Sequence, residues 1–305
     1  MNGFLNILKP AGMSSAAVVA VIRRLTGEKR VGHAGTLDPD AAGVLPIMTG
    51  KATRLFDYLA DKEKEYIAVA AFGAATDTQD ATGEVTETGD HYPDRALIET
   101  QIRTMIGDII QVPSMYSAIK VGGKPLYLRA RLGETVRVPE RVVHIEQIDV
   151  LRDMPDHGIE LRVRCGRGTY IRTLCHDLGR KCGCPAHMRS LLRSRSGPFT
   201  LENAVSLDEA RNLAEEGKLR EKLLPPDFAL TGLPRADVPE KWRKKVENGA
   251  RIPGGGWSPD SLPENVLVRV YMKDEFWGIA VFQNQELVWK ALIAPEKEEE
   301  NGVCG

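Results

Sequence analysis

Val31-Gly32-His33-Ala34-Gly35-Thr36-Leu37-Asp38-Pro39-Asp40-Ala41-Ala42-Gly43-Val44-Leu45-Pro46 is the stretch on which the fold of this chain turns. Its sixteen residues hold three Gly, two Pro, one His and two Asp. Gly and Pro at that density interrupt helices and central strands, whereas Val31 and Val44-Leu45 are too apolar for a free linker. The stretch therefore predicts an ordered loop anchored in the core at both ends. Asp38 precedes Pro39, which biases its backbone toward the extended region and restricts where its carboxylate points. Local chemistry leaves two roles open. Asp38 can cap its own turn, as Asp-Pro turns commonly do, or it can present a carboxylate to a substrate.

Upstream, Lys9-Pro10-Ala11-Gly12 is a turn that feeds a helix. Ser14 or Ser15 can cap its start. Val18, Val21, Ile22 and Leu25 follow the i, i+3, i+4, i+7 pattern, and Gly27 can close it. Downstream, Thr53 to Ala60 reads as a short helix, and the segment from Glu65 to Gly73 as a strand beginning at Tyr66. Asp77, Asp80, Thr82 and Gly83 form a polar turn, and Asp94 to Ile106 an amphipathic helix. Ile159, Leu161, Val163 and Cys165 alternate with Glu160, Arg162 and Arg164, the signature of a half-buried strand. Gly166-Arg167-Gly168 ends it, and Ile171, Leu174, Cys175 and Leu178 mark a helix ending near Gly179. Arg172 thus falls in the first turn of that helix. Ser206-Leu207-Asp208-Glu209 is a capping box. The Pro- and Gly-containing segments at 224–226 and 232–234 read as a linker, and three short strands follow across 266–293.

The totals set bounds. With 305 residues the chain holds one large domain or two ordinary ones. Forty-one Lys and Arg against 42 Asp and Glu leave a net charge of −1, so the total names no partner. The distribution is uneven, however: residues 159–199 carry nine Arg or Lys against two acids, and Pro113 to Gly133 holds no acid but has Lys120, Lys124, Arg129 and Arg131 interleaved with Tyr116 and Tyr127. Cations for phosphates and rings for bases suit a nucleic-acid surface. The sequence shows no secretory leader pattern and no apolar run of bilayer length, and the five Cys (165, 175, 182, 184 and 304) form no framework. A reduced, cytoplasmic compartment is expected.

Metal is a rival chemistry. Cys175, His176, Cys182, Cys184 and His187 crowd together, but a single residue separates Cys182 from Cys184, which is poor spacing for zinc. His144-x-Glu146 resembles part of a zinc deaminase signature, yet no P-C-x-x-C follows. There is no P-loop, no G-x-G-x-x-G after a strand and no H-E-x-x-H. No metal and no cofactor are expected, so side chains alone must carry the chemistry.

The motifs then show a resemblance. GHAGTLDPDAAGVLP is similar to the catalytic motif of the TruB-type pseudouridine synthases, which modify the T-arm of tRNA. KPxGxxS (with Ser14 where the family usually has Thr), EKEY, PSMYSAIKVGGKPLY, CGRGTYIRTLCHDLG and HMRSLLRSRSGPF match further family segments, in the same order, across residues 9–199. The resemblance implies a mixed α+β fold, with a mostly antiparallel central sheet flanked by helices and a small PUA-like β domain at the C-terminal end. It implies a catalytic domain over residues 1–231 with an RNA-clamping insertion near 113–138, an RNA-binding domain over 232–295, and a disordered tail over 296–305. By the same resemblance Asp38 is the catalytic residue, Arg172 its ionic partner and Tyr66 the ring that stacks on the target base. His33, Lys120, Tyr170 and Leu191 are implied RNA contacts. The expected activity is isomerisation of the T-loop uridine at position 55 of tRNA by a monomeric enzyme. The alternative is a catalytically idle protein that binds and refolds tRNA. Both need the basic surface; only the enzyme needs Asp38 and Arg172 together.

Overall fold

The stretch 31–46 divides into three parts in a computed structural model that describes residues 1–59, 63–117, 119–134, 136–254 and 264–295. Val31–His33 is a short strand, residues 34–41 are loop, and Ala42–Thr49 is a strand inside the main sheet. The loop expected to reach Pro46 is therefore shorter. Pro46 is tolerated because its carbonyl still accepts, from the Ala34 N–H at 2.9 Å. Gly43 is needed because the neighbouring strand passes too close for a side chain. A Cβ there would sit 2.2 Å from the Arg193 carbonyl oxygen, on a backbone with φ of +115°.

The main sheet has ten strands. Along its path lie Val205–Ser206, Gly3–Lys9, Ala42–Thr49, Ala186–Ser196, Lys64–Phe72, Gly158–Cys165, Arg141–Met154 and Gly107–Gln111. Two pairings are parallel, Gly3–Lys9 with Val205–Ser206 and Ala42–Thr49 with Ala186–Ser196, and the others are antiparallel. Period-2 alternation sorts the side chains between two cores. Leu5, Ile7, Leu45, Ile47, Tyr66 and Ala68 face one side, where Val18 and Ile22, Ile98 and Ile102, Leu174 and Leu178, and Leu207 and Ala210 cover them from four helices. These helices are Ser15–Thr26, Arg95–Arg103, Ile171–Lys181 and Leu207–Glu215. Their starts follow the sequence: Ser14, Asp94 and Ser206 each cap with a side-chain oxygen, and Gly27 ends the first in the left-handed region. The third helix runs past Gly179, the stop expected from sequence. That glycine is there for packing, since a Cβ would lie 2.5 Å from the Ala186 side chain.

Phe4, Val44, Met48 and Phe199 face the other side of the sheet. Part of their cover comes from Ile279 and Ala291, which belong to a separate five-stranded sheet whose long strands are Val266–Met272, Glu275–Gln283 and Glu286–Leu292, and from Ile293 just past the last of them. The small C-terminal β unit is present, as expected, but the linker is not free. Leu224 bridges to Phe4, and Ala229 and Leu230 are buried in the shared cluster. Residues 296–305, expected to be a disordered tail, lie outside the described residues.

Candidate active site

The backbone around Asp38 is fixed before its side chain is used. Lys9 ends the first strand fully buried, and its ammonium donates to the carbonyls of Pro10 (2.8 Å), Pro39 (2.8 Å) and Ala41 (2.6 Å). An ammonium has three donors, and here all three are taken. Burial lowers the Lys9 pKa to about 8, against the pull of Asp40 and Asp38. Ser15, at the start of the first helix, donates its hydroxyl to the Leu37 carbonyl and accepts from the Leu37 N–H, both at 2.9 Å. The Gly12 N–H donates to the Pro39 carbonyl at 3.0 Å. What remains is the Asp38 carboxylate itself, on a side chain 39% exposed. The ion pair it forms is with Arg172.

Arg172 faces it from the first turn of its helix. Its Nη2 lies 3.9 Å from Asp38 Oδ1 and its Nη1 3.4 Å from Asp80 Oδ2. The Arg172 side chain is 6% exposed and that of Asp80 14%, so one buried cation serves two carboxylates of different exposure. The same Nη2 donates to the Tyr116 carbonyl at 2.8 Å, which ties the root of the 113–138 segment to the site. Tyr170 precedes Arg172 and presents its ring between two guanidinium groups, Arg141 at 5.5 Å and Arg172 at 5.7 Å from the centroid. The fully buried Gln111 holds the Tyr170 main chain on both sides, accepting from its N–H at 3.0 Å and donating to its carbonyl at 3.1 Å.

Tyr66 lies near the start of the strand Lys64–Phe72 and is buried. Burial raises the pKa of its phenol, and the neighbouring Arg193 guanidinium opposes that rise. Asp38, Tyr66, Tyr170, Arg172 and Leu191 line one open cleft of about 290 Å³, with Gly35, Phe56, Lys64, Arg167 and Arg193 among the other lining residues. Its volume is near the lower end of small-molecule sites, about 300 Å³. Five of the seven residues expected from sequence thus converge. His33 and Lys120 do not line the cleft. His33 sits behind it, with Nδ1 accepting from the Gly35 N–H at 3.4 Å, and burial and then Arg193 lower its pKa, which favours the neutral ring. Lys120 is exposed on a short ladder with Pro125.

Sequence reasoning missed three residues. Asp80 was read only as a turn acid, and no local signal ties it to an arginine 92 positions away. Lys9 was visible only as the first letter of a turn motif. Arg193 was counted with a phosphate-binding patch, but strand alternation puts it on the same face as Leu191, two residues earlier, and so in the interior. The cysteines expected not to hold zinc are buried thiols. Burial pushes Cys175 up to about 12 and Cys182 up to about 11. Among the described residues no group of three or more His, Cys, Asp or Glu is placed to hold a metal ion. No helix among them is long and apolar enough to cross a membrane.

Comparison with known proteins places this geometry. Residues 23–171 match the TruB family pseudouridylate synthase N terminal domain, and residues 172–231 match the tRNA pseudouridylate synthase B C-terminal domain. A Geobacillus thermodenitrificans protein named tRNA pseudouridine synthase B is 44% identical over 287 residues, covering 90% of this chain and 95% of that protein.

The chain belongs to the TruB family.

A Bacillus licheniformis relative of the same name is 45% identical, over 82% of each chain. One from Heliobacterium modesticaldum is 42% identical, over 97% of this chain and 95% of that one. Among solved structures, a chain from a Cbf5-Nop10-Gar1 complex is similar with a TM-score of 0.69 and 28% identity, over 92% of this chain and 78% of that chain. A chain from an H/ACA RNP bound to a substrate RNA containing 2′-deoxyuridine matches with a TM-score of 0.73 and 25% identity, over 97% and 86%. Family membership makes this TruB-type chain an enzyme, a pseudouridylate synthase, and sets aside the idle RNA binder. The cleft lies across residues matched by both family domains, with Asp38 and Tyr66 in the first and Arg172 and Leu191 in the second.

Proposed function

We propose that this enzyme converts the uridine at position 55 in the T-loop of tRNA to pseudouridine, acting as a monomer. The observation that carries the proposal is the convergence of Asp38, Arg172, Tyr66 and Leu191 on one cleft, in a chain 42–45% identical to proteins named tRNA pseudouridine synthase B. The reaction breaks the N1–C1′ bond, turns the base and joins C5 to C1′. The target base must leave its stack to enter such a cleft. Tyr66 and Leu191 supply the apolar walls that replace stacking. Asp38 supplies the carboxylate that acts while the glycosidic bond is broken, and the buried Arg172 sets its direction through charge-assisted pairing. Tyr66 is the base that takes the C5 proton.

The proposal extends to the chain's organisation. Residues 1–231 carry the chemistry, and residues 113–138 clamp the RNA, with Lys120 among the phosphate contacts. Residues 232–295 form the PUA-like unit that adds affinity for the rest of the tRNA. The loop's shape supplies specificity and the basic side chains its position.

Asp38→Asn tests the reading. Asparagine suits an Asx turn as well as aspartate does, so a structural role survives the change while a chemical role does not. With an unmodified tRNA transcript and nucleoside analysis, the variant should bind like wild type and lose pseudouridine formation by several orders of magnitude. Product formation near the wild-type rate would overturn the assignment.

A further inference from the structure

Arg193 is the largest of the fully buried side chains, 1% exposed, and it lies on the floor of the cleft. Its register places it between the two halves of the chemistry. In the sheet it stands opposite Gly43 on one neighbouring strand and opposite Tyr66 on the other. Its Nε donates to the Val44 carbonyl at 2.7 Å, and its Nη groups donate to the Thr36 and Gly35 carbonyls at 3.4 and 3.2 Å. Those carbonyls flank the loop that carries Asp38. The remaining donor capacity of the guanidinium lies beside the Tyr66 hydroxyl. Among the described residues its hydrogen bonds go to neutral carbonyls rather than to a carboxylate, although Asp38 lines the same cleft.

A buried cation without a carboxylate bonded to it is costly, and three of its bonds could be made as well by a neutral group. Its charge has a use at Tyr66, where it opposes the rise that burial imposes on the phenol. We propose that Arg193 is the positioning residue of the proton-transfer half of the reaction: it holds the Tyr66 oxygen as a proton acceptor and fixes it to the Asp38 loop. The inference rests on the roles proposed above for Asp38 and Tyr66. After C5 joins C1′, the C5–H bond breaks and its proton passes to the Tyr66 oxygen. The freed electron pair forms the C5–C6 double bond, the C6–N1 pair returns to N1, and N1 takes up a proton. The phenolic proton of Tyr66 is the one that N1 takes up, which leaves a phenolate to receive the C5 proton, and the neighbouring guanidinium lowers the cost of that phenolate. One planar group bonded to both sides also fixes the distance between the residue that acts at the sugar and the residue that acts at C5.

The test is a double-mutant cycle on the full chain with a T-arm stem-loop, read as single-turnover pseudouridine formation and as RNA affinity across pH. Arg193→Gln should lose about a hundredfold in rate, the scale of one positioned acid–base group, with affinity near wild type. Its rate should climb at higher pH than the wild-type rate does, because losing the cation removes the influence that opposes the rise in the Tyr66 pKa. Arg193→Lys, which keeps the charge, should lose less and retain the wild-type pH profile. In a Tyr66→Phe background neither change should cost a further large factor. Equal losses with and without the Tyr66 hydroxyl, or an unaltered pH profile in Arg193→Gln, would overturn the proposal. If Arg193→Gln fails to fold by circular dichroism, the Arg193→Lys arm of the cycle decides alone. A wild-type chain that converts no stem-loop uridine, or a fully active Asp38→Asn, would instead strike the functional reading beneath it.

Discussion

Replacing Lys9 with methionine removes a charge that no solvent sees. The chain length is kept, but the carbonyls of Pro10 and Ala41 lose the Lys9 donor, while that of Pro39 keeps the Gly12 N–H. A buried polar group left without a partner costs about 1–3 kcal/mol. Two such groups, partly offset by the cost of charge burial that disappears, should lower stability at pH 7 by about 2 kcal/mol. The pH dependence carries the sharper signature. The native Lys9 pKa is about 8 and its ordinary value 10.5. Between those values the unfolded chain holds the Lys9 proton and the native chain does not, so raising pH favours the wild-type native state. Lys9→Met lacks that term. The gap between the two proteins should widen as pH rises from 8 toward 10.5, by up to the energy equivalent of the displacement, about 3 kcal/mol. Urea denaturation followed by circular dichroism at a series of pH values measures it. Equal stability at pH 7, or a gap that narrows with pH, would refute the reasoning. Because Lys9 holds the backbone beside Asp38, the single-turnover rate should fall alongside stability.

Asp80→Asn keeps size but, among the described residues, leaves Arg172 with Asp38 as its only ionic partner; the catalytic rate should fall at unchanged RNA affinity, and a wild-type rate would show that Asp80 does not tune the pair. A chain ending at residue 231 removes Ile279 and Ile293 from the shared core, so its urea midpoint should drop by an amount equivalent to about 4 kcal/mol at about 2 kcal/mol per buried isoleucine; an unchanged midpoint would mean the two units stabilise each other little. RNA affinity should fall log-linearly with salt as phosphate counterions are released, and the slope should not respond to changes at Arg193, which is buried; a slope reduced by one charge in Arg193→Gln would place that side chain on the RNA.

Much of this was legible in the sequence. Ser14, Asp94 and Ser206 announced three helix starts because a cap is a local interaction, written within four residues. The alternation of 159–165 announced a strand because its period is local too. Asp38, Tyr66, Arg172, Tyr170 and Leu191 were found because their motifs are long. The misses have a common cause. Ala42–Thr49 is a strand despite Gly43 and Pro46 because its two neighbours supply the bonds and the close approach, and those neighbours lie far away in sequence. Gly179 ends nothing, since its small size serves the strand packed against it. Asp80 and Arg193 act through partners 92 and about 150 residues away. Composition counts Arg172 and Arg193 among the basic residues of 159–199, and the fold buries both.

The cluster that joins Phe4, Val44 and Met48 to Ala291 and Ile293 has a consequence during synthesis. The N-terminal strand leaves the ribosome first, yet part of its apolar cover lies roughly 290 residues downstream. At translation rates of about 5–20 residues per second, that interval is about 15–60 seconds. Through it, one face of the nascent sheet is open and adhesive, however complete the helix-covered face has become. Among the described residues, Glu286–Leu292 is therefore the closing piece of that early surface, and a stall or frameshift late in the message would release a chain whose candidate cleft is built but whose back is bare.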